Sequence, residues 1–380
     1  MTAITATSYR QRSPVQVLTG GAEVIDQIAE EWRRLCDGPY DEPFYRPEWI
    51  EAYVRAFASD KTLVLATARR NGRLVAVLPL IRETALLGGV PVRKLRGAAN
   101  VHTCRFDVVH SPLSRKVAVR AIWEAVQAIP GWDVLELPSV PIGGAGGDVI
   151  RLAQTQGCVT HATRCVSTPY IDLSGGAQAF ENVLRGLDAK FRSNLRRRAR
   201  RLERVGSVQL VCGRQADERL RLFYELERQG WKGRERSAIA CGRATTAFYD
   251  DVARQAASAG ALRLYALECC GRPVAMHYGV LQGGRYFLLK TAYDESLKAC
   301  APGQLIMERV LRDLTAEGCS RFDFLGTLMD WKKEWAPRLR PHASWYVFRG
   351  PVGRVAYKLR FGLGSTIARK LRARARKHEP

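Results

Sequence analysis

Two stretches of the chain carry the same run of apolar and polar positions. Residues 62–77 align without gaps with residues 261–276, and Gly72-Arg73 falls on Gly271-Arg272. Each reads as an alternating strand, a polar turn with Gly, and a second strand, so each predicts a β-hairpin. Upstream, Val15-Gln-Val-Leu-Thr-Gly20 pairs with Val208-Gln-Leu-Val-Cys-Gly213; downstream, Gly131–Leu137 pairs with Gly318–Phe324. The matches keep their order, so the chain reads as two copies of one unit.

The remaining periodicity fills in both copies. The first predicts strand 15–19, helices near 22–36 and 47–58, strands 62–70 and 73–82, helix 114–128 and strand 132–137. The second predicts strand 208–212, helices 217–229 and 244–259, strands 262–269, 273–282 and 285–293, helix 303–317, strand 320–325 and a late strand 343–349. A meander followed by a helix and a buried strand predicts an α/β fold with a mixed, mainly antiparallel sheet flanked by helices. Between the copies, a helix over 177–205 is expected to bury Phe180, Leu184, Leu187, Phe191, Leu195 and Leu202, spaced by three, four and seven. The domain boundaries drawn from this are 1–165, a connecting strand and basic helix over 166–206, 207–350, and a basic tail over 351–380.

A chain of 380 residues with 46% hydrophobic content can build two ordinary cores. No apolar run reaches a bilayer-spanning length, and Met1–Pro14 has no secretory apolar region, so a cytoplasmic location is expected. The ten cysteines form no CxxC pair and no zinc-like spacing with histidine, so they are read as reduced thiols, with no metal. The net charge of +23 favours anionic partners. It concentrates in Lys190–Arg204 and in Arg354–Lys377. The tail also carries Val355, Leu359, Phe361, Leu363, Ile367 and Leu371, an amphipathic basic pattern suited to peripheral attachment at an anionic inner membrane face.

Pro302-Gly303 opens a predicted helix directly after a strand and loop. Exposed amides at a helix start bind phosphate, and glycine lets phosphate come close to the backbone. The counterpart loop of the first copy, His110-Ser-Pro-Leu-Ser114, has no glycine and is expected to be a degenerate site.

Several further segments carry a family resemblance: Leu78-Pro79-Leu80, Lys190-Phe-Arg-Ser-Asn-Leu-Arg-Arg197, Lys290-Thr-Ala-Tyr-Asp294, Ala301-Pro-Gly-Gln-Leu305, Phe322-Asp-Phe-Leu-Gly326, and Trp331-Lys332 with Trp335. Over roughly residues 15–350 the chain resembles GNAT acyltransferases of the CelD (cellulose-biosynthesis) type, relatives of the FemABX peptidyltransferases. The resemblance implies tandem GNAT-like domains, the second of which binds acetyl-CoA or another acyl-CoA as co-substrate at Pro302, Gly303, Gln304 and Leu305. The usual Gln/Arg-x-x-Gly-x-Gly/Ala signature is replaced here by Ala301-Pro-Gly-Gln-Leu305. It further implies direct attack of an amine on a thioester, needing a proton acceptor and oxyanion donors but no covalent nucleophile. His277, beside the small Ala275 and Gly279 on its strand face, and Asp323, between two aromatics, are the candidate bases. Lys290 is a candidate for phosphate or acceptor contact. Trp231, Arg234 and Lys332 are candidates for the acceptor wall. The expected reaction is N-acylation of a small amine or amino sugar, within polysaccharide or envelope metabolism. The alternatives are a FemABX-like transferase, with aminoacyl-tRNA as partner of the basic helix, and a non-catalytic GNAT scaffold.

Overall fold

The computed structural model describes residues 15–363 apart from 39, 113, 114 and 164. Leu113, Ser114 and the tail beyond 363, on which part of the degenerate-loop and membrane-anchor expectations rest, lie outside the described residues.

In chain order the first half comprises β1 (Val15–Gly20), α1 (Ala29–Cys36), α2 (Pro47–Phe57), β2 (Thr62–Arg70), β3 (Arg73–Leu87), β4 (Val90–Gly97), β5 (Val109–His110), α3 (Arg115–Ala128), β6 (Val134–Pro141), α4 (Ala145–Thr155) and β7 (Val159–Ala162). Then come β8 (Val166–Asp172), α5 (Ala179–Gly186) and α6 (Ala189–Glu203). The second half comprises β9 (Val208–Gly213), α7 (Glu218–Gln229), α8 (Trp231–Arg234), α9 (Arg243–Ser258), β10 (Leu262–Cys269), β11 (Arg272–Gln282), β12 (Arg285–Tyr293), α10 (Pro302–Ala316), β13 (Arg321–Asp323), α11 (Asp330–Lys333), β14 (Arg338–Phe348) and α12 (Gly350–Tyr357).

The two hairpins are alike residue by residue. Asn71 and Gly72 take φ of 52° and 78°, and Cys270 and Gly271 take 51° and 74°, the left-handed pair of a tight hairpin turn. Arg70 faces Arg73 as Cys269 faces Arg272, and the register slips between Ala68 and Arg69 as it does between Leu267 and Glu268. All strands join one sheet in the order β1-β2-β3-β4-β6-β14-β8-β13-β12-β11-β10-β9, with β5 on β3 and β7 on β14. Read from either edge it repeats the same sequence of relationships: three antiparallel contacts, one parallel contact (β4 with β6, β12 with β13), then an antiparallel strand at the centre. The central pair is exchanged. β8, which precedes the second half, lies on β13, and β14, which ends it, lies on β6 and β7.

One sheet face packs on α1, α2, α7 and α9, in a core continuous through both halves. Trp49 of α2 meets Phe248 of α9 edge-on at 5.2 Å between ring centroids. The other face divides between α3 and α4 in the first half and α5, α6 and α10 in the second. The strands are therefore buried on both sides, which explains continuous apolar runs such as Leu63-Val-Leu-Ala66.

The helix expected over 177–205 is two helices. It breaks at Leu187-Asp188, where Asp188 caps α6 by accepting from the Phe191 N–H at 3.0 Å. Arg192 of the expected charged face is spent at that break, donating to the Leu184, Arg185 and Leu187 carbonyls. Of the expected apolar face, Phe180, Leu187, Phe191, Leu195 and Leu202 are buried and Leu184 is half-buried.

Candidate functional site

The parallel contact between β12 and β13 spans only three pairs, ending at Phe287 opposite Asp323. Beyond it β12 runs on to Tyr293 while the chain after β13 turns away, and a cavity of about 630 Å³ opens between them. Leu325 and Gly326 make that turn with φ of 54° and 56°. A leucine in this region is strained and needs its neighbours to hold it. Its N–H donates to Asp323 at 3.0 Å, and its carbonyl accepts from Lys332 Nζ at 2.7 Å; Lys332 also reaches the Thr327 carbonyl at 2.9 Å.

At the other wall, α10 begins with Ala301 at φ 47°, Pro302 at its first turn and Gly303 behind it. A side chain at Gly303 would meet only the Tyr293 ring, at 3.6 Å, so the helix start opens onto the cavity. Gln304 lines the cavity, but its amide is committed: it accepts from the Trp335 indole at 2.6 Å and donates to Glu334 at 2.6 Å. That ties α10 to the Trp331–Trp335 segment. Leu305 is a buried core residue outside the cavity lining.

The edge of β12 left bare by the splay faces the cavity. The Thr291 carbonyl is taken there by Lys232 Nζ at 2.6 Å, and Lys232 also binds Glu227 at 2.9 Å. In an extended strand the N–H and C=O of one residue point the same way, so the Thr291 N–H is presented to the cleft as well. The first half completes the wall with Val101, His102 and Cys104. His102 Nδ1 lies 3.3 Å from the Tyr249 hydroxyl, and its ring stacks on Phe57. Burial and the nearby Lys290 charge push its pKa down to about 4, so it is neutral at pH 7. Burial lowers Lys290 and raises Cys104, and it brings Lys332 down to about 8.

The expected residues divide accordingly. Lys290, Lys332, Pro302, Gly303, Gln304 and Trp231 line one cavity; Asp323, His277, Arg234 and Leu305 do not. Asp323 is fully buried in an ion pair with Arg105. His277 is buried with its Nδ1 unpartnered, and burial together with the Lys232 charge drives its pKa to about 3, which makes it a poor proton acceptor. Arg234 pairs with Glu295 at 2.8 Å on the surface. His102, Cys104, Glu227, Lys232 and Tyr249 are cavity residues that the sequence pattern did not single out. For Glu227 a signal exists: it is an acid on the buried stripe of α7, alongside Leu220, Phe223 and Leu226.

The equivalent cleft of the first half is closed. The Phe106 ring fills the space beside Gly97, where a side chain would stand 2.6 Å from it, and Pro138 closes the other side. The glycine-rich start of α4 is likewise occupied from within, because the Asp107 carboxylate accepts from the N–H groups of Ala145 at 3.1 Å and Gly146 at 2.5 Å.

Residues 189–333 match the family model described as an acetyltransferase (GNAT) domain. No curated protein matches the sequence. Among solved structures, the chain is similar to FemX, with TM-score 0.61 and 11% identity, covering 90% of this chain and 99% of that one. It is also similar to the C-terminal domain (DUF2156) of a putative lysylphosphatidylglycerol synthetase from Agrobacterium fabrum, with TM-score 0.52 and 12% identity, covering 88% and 94%. L-PGS from Bacillus licheniformis aligns with TM-score 0.52 and 12% identity, covering 86% and 94%. At these identities the likeness is one of fold. The chain thus has a GNAT-like fold of two like halves, and the matched acetyltransferase (GNAT) domain runs from α6 to α11. Among the described residues no helix is long and apolar enough to cross a membrane, and no group of His, Cys, Asp or Glu has metal-binding geometry.

Proposed function

We propose that the chain is an acyl-CoA-dependent N-acyltransferase of the CelD type, acting on a small amine, and that the first half serves as scaffold and acceptor wall. The observation that carries this reading is the splay of β12 from β13 with the start of α10 open at its rim. The residues present suit an acyl-CoA: Pro302 and Gly303 for the pyrophosphate, and the bare edge of β12 for the acyl arm. Bound there, it supplies a thioester carbonyl open to attack by an amine. The chain's own part is to hold and orient. The Thr291 N–H is a donor for charge developing on an acyl oxygen, and Lys332 fixes the turn that keeps the cleft open. The apolar wall of Leu288, Phe324 and Trp331 excludes water. Calorimetric titration of acetyl-CoA into the full chain tests this; saturable binding is expected, and its absence in a folded sample overturns the reading.

A second reading has one observation in its favour. Arg197, Arg200 and Arg201 of α6, with Arg204 at its C-terminal cap, form an exposed ridge that makes no ion pair among the described residues. This suits a polyanion and, in the FemABX-like alternative, an aminoacyl-tRNA. Replacing Arg197 and Arg201 together by Glu separates the two readings. Acyl-CoA-dependent turnover of a small amine is then unchanged, whereas a tRNA-dependent reaction falls at least tenfold.

A further inference from the structure

The charges around the cavity do not cancel. Glu227 has both oxygens taken, by Lys232 at 2.9 Å and by the Ile239 N–H at 2.8 Å. Glu295 has both taken as well, by the Trp231 N–H at 2.7 Å and by Arg234 at 2.8 Å. Lys332 is held by two carbonyls. Lys290 is different: among the described residues no carboxylate or carbonyl lies within hydrogen-bonding distance of its Nζ, which stands 5.4 Å from the centre of the Tyr249 ring. His102 meets the same tyrosine from the first half. This half-buried ammonium has no direct anionic partner; the Tyr249 ring and the more distant Glu227 charge, already bound by Lys232, only partly offset its lost hydration.

Lys290 is also on the wrong side of the sheet for the pyrophosphate. Successive side chains of a strand alternate faces. Tyr293, next to Gly303, packs with the α10 core, whereas Lys290 points to Tyr249 of α9 in the opposite core. Three residues of strand add about 10 Å along the sheet. An anion at Lys290 therefore belongs to the molecule that enters from the α9 and first-half side.

On the reading that the cleft binds acyl-CoA, we infer that Lys290, with Tyr249 and His102, forms an anion subsite, and that the acceptor is an amine that also bears an acidic group. A carboxylate or a phosphate meets the requirement, since each is a compact anion able to take an ammonium donor.

The test uses the full chain, as wild type, Lys290→Gln and Lys290→Arg. Matched acceptors are offered with acetyl-CoA: glycine against glycinamide, and glucosamine 6-phosphate against glucosamine, with CoA thiol release as the readout. In parallel, acetate and inorganic phosphate are titrated at constant ionic strength and the melting temperature is followed. The acidic member of at least one pair is expected to exceed its neutral partner at least tenfold in kcat/KM, chiefly through KM. Lys290→Gln removes that preference, and Lys290→Arg restores part of it. The pair that discriminates tells carboxylate from phosphate. In the parallel arm at least one anion raises the wild-type melting temperature more than that of Lys290→Gln. Equal use of neutral and acidic acceptors overturns the subsite; where no acceptor turns over, equal response of wild type and Lys290→Gln to both anions does so. Failure to bind acetyl-CoA is read separately by calorimetry and overturns the parent reading instead.

Discussion

Arg105 of the first half is ion-paired with Asp323 of the second, and neither side chain reaches solvent. The pair belongs to a larger network. Glu42 accepts from Arg105 at 2.7 Å, from Arg285 at 3.0 Å and from Arg340 at 3.1 Å, so a single carboxylate of the first half binds three guanidiniums from three strands or loops.

Removing one member of such a network leaves buried charge uncompensated. Glu42→Ala is expected to destabilise the fold by about 3–5 kcal/mol, and the double replacement Arg105→Met with Asp323→Leu by less than the sum of its single changes. Urea unfolding of the parent, Glu42→Ala, the two single replacements and the double replacement measures both. Burial works against the Glu42 charge, but Arg105, Arg340 and Arg285 outweigh it and hold its pKa at about 2. Its contribution is intact above about pH 4.5 and is lost as pH falls toward 2.

Gly303→Glu brings a negative charge to the start of α10 without a backbone clash, since only the Tyr293 ring is near. Losing two or three phosphate contacts, at about 1–3 kcal/mol each, lowers acetyl-CoA affinity roughly tenfold to a thousandfold or more. The melting temperature should hold within a few degrees, because a helix start favours an acid. Calorimetry and a thermal melt of the same sample read the two effects.

His277 is neutral in the fold, with its pKa driven to about 3 by burial and by the Lys232 charge. The unfolded imidazole takes a proton near pH 6.5. The His277 contribution is therefore unpenalised above about pH 6.5 and becomes destabilising as pH drops toward 3, by about 1.4 kcal/mol for each pH unit once the unfolded group is protonated. His277→Leu should flatten that limb of a plot of stability against pH. An unchanged slope would exclude His277 as its source.

How far the residues announced this fold varies with the distance over which each device acts. Asn71-Gly72 and Cys270-Gly271 act on their own neighbours, and the hairpins follow from local alternation. β4 was not expected, because Val90-Pro-Val-Arg-Lys-Leu-Arg-Gly97 mixes its charges with few apolar positions and its strand character comes from pairing on β3 and β6. Asp323 stands out in the sequence as an acid between two aromatics, but its partner lies 218 positions earlier in the chain, and no spacing rule reaches that far. The same limit hid His102 and Cys104, which come to the cavity from the other half. The rim of the site was legible because a helix start with Pro and Gly is a local signal; the wall facing it depends on tertiary contact.

Lys332 is expected to secure the Leu325 turn rather than the acceptor. Lys332→Met removes both carbonyl bonds and should release Leu325 from φ 54°, costing about 1–3 kcal/mol. Burial lowers the Lys332 pKa to about 8 in the fold, against about 10.4 in the unfolded chain. The parent should gain stability between about pH 8 and 10.4, as the unfolded ammonium gives up its advantage. The Met variant should lack that gain, which melts across the interval will reveal.

The exchange of β8 and β14 also governs when the molecule can be finished during synthesis. β6 leaves the ribosome early, yet its partner β14 begins only at Arg338, about 200 residues after β6 ends at Pro141. Throughout that interval the first half has emerged with a bare strand edge, the kind of surface that captures stray strands. A nascent chain stalled between those points holds a half that cannot close, and the sheet is sealed only when β14 arrives.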